Sequence, residues 1–167
     1  MDTNELSALW APWRVEYFKA GGASPDFLLD AANATDDAAH LVVARGKSVF
    51  LIMNRYPYAV GHLMAVPYRK VADLAELTDT EKLDLWDLAE HGQRLLREAV
   101  RAQGFNVGLN LGKCAGAGVV EHLHLHIVPR WDGDHNFMPV LSDTRILPEA
   151  LDALYQKLLA AQTKLAS

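Results

Sequence analysis

The spacing of apolar positions along this chain changes period several times, and each change predicts a new element. "LVVAR" (41–45) and "SVFLIMN" (48–54) are dense in β-branched and large apolar side chains, the composition of strands with at least one buried face. Gly46 and Lys47 separate them and predict a hairpin. After the loop "RYPYAVG" (55–61), "HLMAVP" (62–67) predicts a third strand halted by Pro67. The period then lengthens. Thr78 and Glu81 form a capping-box pattern, and Leu85, Leu88, Leu95, Leu96, Ala99 and Val100 keep helical spacing toward Gly104. "FNVGLN" (105–110) returns to a strand pattern, "CAGAGVV" (114–120) is a glycine-bearing loop, and "HLHLHIVP" (122–129) alternates strictly. Pro148 can occupy the first turn of a last helix carrying Leu151, Leu154, Tyr155, Leu158 and Leu159 on one face. Residues 21–37 mix turn formers with a short apolar patch and read as loop or weak helix. Strands, helix, strands, helix predict an α+β fold: an antiparallel five-stranded sheet with one long and one C-terminal helix. The whole chain, 1–167, reads as one domain. Its aromatic opening segment (1–20, with Trp10, Trp13, Tyr17 and Phe18) is expected to pack on the body or on a partner subunit.

The alternating run holds the chemistry. Three of the seven histidines fall at every second position, so on a strand His122, His124 and His126 share one face, with about 6.6 Å between successive Cα atoms. Leu123, Leu125 and Ile127 take the other face, and a one-residue slip would exchange the two sets. Pro129 is expected to end the pairing. Three readings compete: a polar strand face without chemistry; a zinc site, although three histidines along one straight strand span too far for a single tetrahedral ion; and a nucleophilic imidazole. In the third, one ring nitrogen attacks phosphorus while the other donates to a fixed acceptor. His124 is central and its neighbours can orient it or hold phosphate oxygens. The amides of the nearby loop, at Gly116, Ala117 and Gly118, are candidates for an anion-binding concavity.

Charge narrows the partners. The chain of 167 residues has a formal net charge of −5 and is 50% hydrophobic, which argues against a general nucleic-acid binder. Arg69, Lys70, Lys113 and Arg130 suffice for a small phosphate ligand. Cys114 is the only cysteine, so no intrachain disulfide forms. No stretch approaches the ~18 apolar residues of a membrane span, and the N-terminus lacks the pattern of a signal peptide. No membrane partner and a cytoplasmic location are the expectations.

With these residues in view, the sequence resembles the histidine triad (HIT) superfamily, whose signature is His-φ-His-φ-His-φ-φ with φ apolar. "HLHLHIV" fits at all seven positions, and the following "PRW" is similar to the fragile-histidine-triad branch. "LWAPWRVEY", "NRYPYAVGHLMAVPYR", "NLG…AGAG" and "GDHNFMPVLSDTRILPEAL" extend the resemblance over most of the chain. It implies the HIT fold, a homodimer, and cleavage of dinucleoside polyphosphates such as diadenosine tetraphosphate through a nucleotidyl-histidine intermediate, resolved by water or inorganic phosphate. By position, the resemblance makes His124 the nucleophile, His122 a supporting residue and His126 a contact to phosphate or leaving group. Asn54 would meet the ribose and Asn110 the phosphates. No cofactor is expected to be tightly bound; Mg²⁺ would arrive with the nucleotide, since no carboxylate cage is visible.

Two departures stand out. Bacterial relatives often bind zinc through a Cys-x-x-Cys pair, a histidine after "PYR" and the first triad histidine. Here Pro25 and Leu28 fall near the cysteine positions and Lys70 replaces the histidine, so structural zinc is not expected, and Pro25, Phe27 and Leu28 are expected to fill the region by packing. Gly118-Val119 replaces a polar pair that contacts phosphate in relatives. That motivates a rival reading, a nucleotide-binding regulatory module without turnover; a metal-dependent hydrolase is a third. Among the lesser residues, His62 reads as a satisfied strand-end histidine, His91 as surface and His135 as an exposed loop residue. Trp131 and Phe137 read as core or interface packing, and Cys114 as non-catalytic.

Overall fold

The computed structural model of the protein describes residues 26–134 and 150–166. Two short helices, α1 (Phe27–Asn33) and α2 (Asp37–His40), precede a hairpin of β1 (Val42–Arg45) and β2 (Val49–Met53). Strand β3 (Leu63–Pro67), the long helix α3 (Asp79–Val100), β4 (Gly104–Leu109), β5 (Leu125–Arg130) and α4 (Leu151–Ala166) follow. The sheet is antiparallel and ordered β1-β2-β3-β5-β4. The predicted five-stranded α+β architecture is present, with both predicted helices. The aromatic segment 1–20, His135 and Phe137 lie outside the described residues.

The sheet separates two layers. Leu51, Met53, Leu63, Ala65, Leu125 and Ile127 face α3 and α4, where Leu85, Ala89, Leu95, Leu96, Leu154, Tyr155 and Leu158 complete the larger core. Gly92 lets α3 lie close: a Cβ there would stand 3.3 Å from Leu51 Cδ1 and 3.5 Å from Ile127 Cδ1. The opposite face holds a smaller cluster of Val42, Phe50, Ile52, Met64 and Val66 under Leu28 and Ala31 of α1. Met64 pairs with His126 across β3 and β5, and residues directly opposite in a ladder point to the same side. The small cluster and the histidines therefore share a face.

Of the two alternatives for 21–37, loop or weak helix, the described part contains the helix α1, held by burial of Leu28 and by Arg45, whose guanidinium donates to the carbonyls of Ala31, Ala32 and Ala34. Two expectations need correcting. Helix α3 stops at Val100 rather than near Gly104, because Arg101 adopts the left-handed conformation (φ 53°) and Ala102 N–H turns back to Leu96 O. Pairing also continues past Pro129: Phe105 lies opposite it, and Gly104 opposite Arg130. The β3–β5 ladder has already ended at Ile127, so the missing N–H of Pro129 deprives no β3 partner.

Candidate active site

Strand β5 begins only at Leu125, so of the three histidines expected on the strand His126 alone lies within it; His122 sits in a bend and His124 in the short lead-in, fixed where Leu123 N–H donates to Val71 O at 2.7 Å. Leu123, Leu125 and Ile127 all enter the larger core, which leaves the three imidazoles together on the other side. They are buried, with 1%, 8% and 7% exposure for His122, His124 and His126. Each nitrogen's role follows from its partner. His122 Nε2–H donates to Pro67 O (2.8 Å), and its Nδ1 is buried with no partner. His124 Nδ1–H donates to the carbonyl of His122 (2.8 Å). That puts the lone pair of His124 on Nε2, which has no partner among the described residues. The His124 and His126 rings meet edge to face with centroids 4.8 Å apart.

A fourth histidine belongs to the same chain of bonds. The backbone N–H of Tyr58 can only donate, and it points at His62 Nδ1 (3.1 Å), as does the side-chain amide of Asn54 (3.3 Å). His62 Nδ1 is thus the acceptor and Nε2 carries the proton. That proton is donated to His126 Nδ1 at 2.9 Å, so the proton of neutral His126 sits on Nε2. Asn110 Nδ2 is placed 3.3 Å from that nitrogen; with Nε2 carrying the proton, the amide must be turned end for end so that Oδ1 accepts, the two ends being interchangeable in shape. The sequence reading of His62 as a satisfied histidine holds for its bonding and falls short for its place: it is 1% exposed and bonded directly to a triad member. Parity held the clue. His62, Met64 and Val66 alternate on β3, and Met64 faces His126. Asn54 and Asn110, expected at ribose and phosphates, are both brought to this chain of histidines.

Burial pushes the pKa of His124 and of His122 below the ordinary 6.5; bonds to the carbonyls of His122 and Pro67 respectively oppose this only in part. Neutral imidazoles are what a nucleophile needs at neutral pH.

Three of the four cations anticipated for phosphate are otherwise engaged; Lys113, on the glycine loop, is exposed. Arg69 pairs with Glu81 (2.8 Å) and donates to Glu76 O; Lys70 pairs with Asp26 and with Glu121 (2.9 Å); Arg130 pairs with Asp134 (2.7 Å). Sequence adjacency suggested a basic patch, and nearby carboxylates consume it. In the glycine loop, Gly116 N–H donates to Lys113 O (3.0 Å) and Ala117 N–H to Gly112 O (3.3 Å), so these two amides close their own turn instead of an anion cradle. Gly118 lies on the exposed rim of the loop. Cys114 is exposed, and His91 is half-buried rather than superficial. Trp131 is a packing residue: its indole N–H reaches Val100 O and Arg101 O at the end of α3.

The zinc position implied by the resemblance can be tested on its residues. Leu28 is sunk in the small apolar cluster, and the Lys70 ammonium, its pKa raised by Asp26 and Glu121, has no lone pair to give. Pro25 lies outside the described residues and carries no donor side chain. Only the orphaned Nδ1 of His122 would serve. These residues do not fit the ion, and among the described residues no group of three or more His, Cys, Asp or Glu side chains is placed to hold a metal.

On the same face of the sheet as His126, a cleft of about 350 Å³ is lined by Phe27, Asp30 and Ala31 of α1 with His40, Ile52, Arg55 and Tyr56. Tyr56 N–H donates to Asn54 Oδ1 (2.8 Å), which ties the mouth of the cleft to the histidine chain.

Comparison with known proteins gives a consistent picture. The model of the HIT domain matches residues 36–133. An AP-4-A phosphorylase of Mycobacterium tuberculosis is 42% identical over 156 residues, covering 89% of this chain and 80% of the relative. An asymmetrical bis(5'-nucleosyl)-tetraphosphatase of Schizosaccharomyces pombe is 33% identical over 93 residues, 56% of this chain and 50% of that one. Among solved structures, a zinc-bound histidine triad family protein of Mycobacterium smegmatis superposes with a TM-score of 0.66 at 23% identity, covering 84% of this chain and 93% of its own.

Proposed function

Since the chain belongs to the HIT domain family, we propose that it is an enzyme cleaving dinucleoside polyphosphates, diadenosine tetraphosphate foremost, through a nucleotidyl group carried on His124. The observation that carries this is the bond from His124 Nδ1–H to the His122 carbonyl, which fixes the ring and leaves the Nε2 lone pair as the nucleophile. In the first step a bond forms between Nε2 and the α-phosphorus, the bond to the bridging oxygen breaks, and a nucleoside polyphosphate departs. His126 turns its Nε2–H from Asn110 to an oxygen of the departing group. In the second step inorganic phosphate attacks the same phosphorus and releases a nucleoside diphosphate, with His124 restored; water in its place gives the monophosphate. The name of the 42%-identical relative favours phosphate.

The base is assigned to the α1 cleft, where Phe27 and Ile52 offer apolar faces, and the ribose to the neighbourhood of Asn54. Mg²⁺ arrives with the nucleotide. The second copy expected of a homodimer is assigned to β4, one of the two edge strands, whose outer side pairs with no further strand among the described residues. Light scattering at micromolar concentration checks it; a monomer there refutes the dimer. Among the described residues no helix is long and apolar enough to cross a membrane, in keeping with a cytoplasmic setting.

The decisive experiment mixes the protein with diadenosine tetraphosphate labelled at the α-phosphorus. Acid-labile label on the wild type, absent from His124→Ala together with at least about a thousandfold loss of turnover, is the expected result. Nucleotide bound without label or turnover would favour a binding module instead. Product analysis with and without phosphate distinguishes ADP from AMP release.

A further inference from the structure

Helix α1 is only seven residues long, too short to persist on its own, yet it supplies three of the residues lining the cleft. It is held at both ends by cations, one in strand β1 and one in the segment after β3. At its C-terminal end Arg45 collects the carbonyls of Ala31, Ala32 and Ala34 and pairs with Asp37. At its N-terminal end Asp26 is the cap residue, and its carboxylate contributes no capping bond to the helix; it meets the Lys70 ammonium instead. Lys70 also binds Glu121, the residue immediately before His122. One ammonium therefore joins the start of α1, the segment after β3 and the lead-in to the triad. Its neighbour Arg69 bonds Glu81 and Glu76 O and takes no part in this junction.

We propose that Lys70 is a positioning residue: its ammonium clasps α1 to the triad segment through Asp26 and Glu121, and does so in place of a metal ion. The junction is where the family resemblance puts zinc; there Leu28 offers no donor atom, Lys70 is itself a positive charge, and the carboxylates of Asp26 and Glu121 are engaged by that ammonium. A cation between two carboxylates can fasten the same three segments, with one physical difference. An ammonium clasp is screened by salt and indifferent to chelators, whereas a metal clasp is the reverse.

The consequence for catalysis rests on the assignment of the base to the α1 cleft, and the test separates the two. Lys70→Met, Asp26→Asn and the double variant are compared with wild type and with Lys70→Arg. Amide hydrogen exchange across residues 27–33 is expected to accelerate at least fivefold in Lys70→Met and in Asp26→Asn, no further in the double variant, and to stay near wild type in Lys70→Arg. Raising NaCl from 50 mM to 1 M should loosen α1 in the wild type and leave Lys70→Met unchanged, and wild type grown with added zinc should carry far less than one zinc per chain. If the cleft binds the base, KM for diadenosine tetraphosphate rises at least threefold in Lys70→Met while kcat stays within twofold. Faster exchange with an unchanged KM keeps the clasp and removes the base from this cleft. Unchanged exchange in Lys70→Met, additive effects in the double variant, or stoichiometric zinc lost to chelator together with α1 order would each overturn the clasp.

Discussion

A single backbone amide sets the protonation pattern of two side chains in this site. Tyr58 N–H obliges His62 to accept at Nδ1, and His62 in turn obliges His126 to accept at Nδ1, so the His126 proton is kept on Nε2, the nitrogen beside Asn110. Glutamine can copy this relay with one acceptor and one donor; leucine cannot. Expected, therefore, is a drop in kcat of at least about tenfold in His62→Leu, with KM little changed and most activity kept in His62→Gln, as steady-state kinetics would show. Equal loss in both variants would mean that His62 serves packing alone. Acid sensitivity follows from the buried imidazoles. His122 and His124 hold their protons less tightly in the folded protein than the ordinary 6.5, so below that pH the unfolded chain binds more protons. Their contribution to stability is complete above about pH 6.5 and declines as the pH falls through 6.5 toward the lowered folded values. A pH series of melting temperatures should show this fall on the acid side of 6.5, and kcat/KM should decline on its acid limb with an apparent pKa below 6.5. Much of this scale was readable beforehand: alternation alone put three histidines on one face. What it could not supply were the long-range partners. Arg69 and Lys70 are neighbours, yet one finds Glu81 and the other Asp26, 12 and 44 residues distant, and no local pattern separates them.

At the level of elements, α3 shows which signals are local and which are not. Its start was legible because the capping box is a short-range device: Thr78 accepts from Glu81 N–H, and the Glu81 carboxylate returns to Thr78 N–H. Arg69 reinforces it, holding the Glu81 carboxyl down at about 2. Thr78→Ala should lower stability by about 1 kcal/mol, measurable by urea unfolding. The helix end was misplaced because Arg101 takes a left-handed conformation that glycine more often provides. The same helix presses on the sheet at Gly92, where Leu51 and Ile127 leave no space for a larger side chain. Gly92→Leu is expected to destabilise by about 1–3 kcal/mol or more, and a melting temperature equal to wild type would show that the helix can lift away. Helix α1 was barely visible in the sequence for the opposite reason. "FLLDAAN" has too few turns for periodicity to register, and its stability is tertiary, drawn from Leu28, Ala31, Arg45 and Lys70.

For the whole molecule, the sheet works as a partition. The large core, with both long helices, lies on one side; the histidines, the cleft and the small apolar cluster lie on the other. Hydrophobic patterning predicted the large core well, since α3 and α4 each show a clear apolar stripe. The small cluster was less evident because its cover is the short α1 and its strand residues also sit in fully buried runs, where alternation disappears. Three residues do double duty there: Ile52 and Ala31 belong to the buried cluster, Phe27 packs against it, and all three also line the cleft. Ile52→Ala should therefore cost about 2–5 kcal/mol of stability while changing the preference among adenine, guanine and pyrimidine dinucleotides, as paired melting and competition assays would reveal. Widening the choice of substrate and thinning the fold are, at these positions, one and the same mutation. A lineage evolving toward a new base would have to acquire compensating changes elsewhere first, and the far side of the sheet, whose core shares no residue with the cleft, is where such changes are free to accumulate.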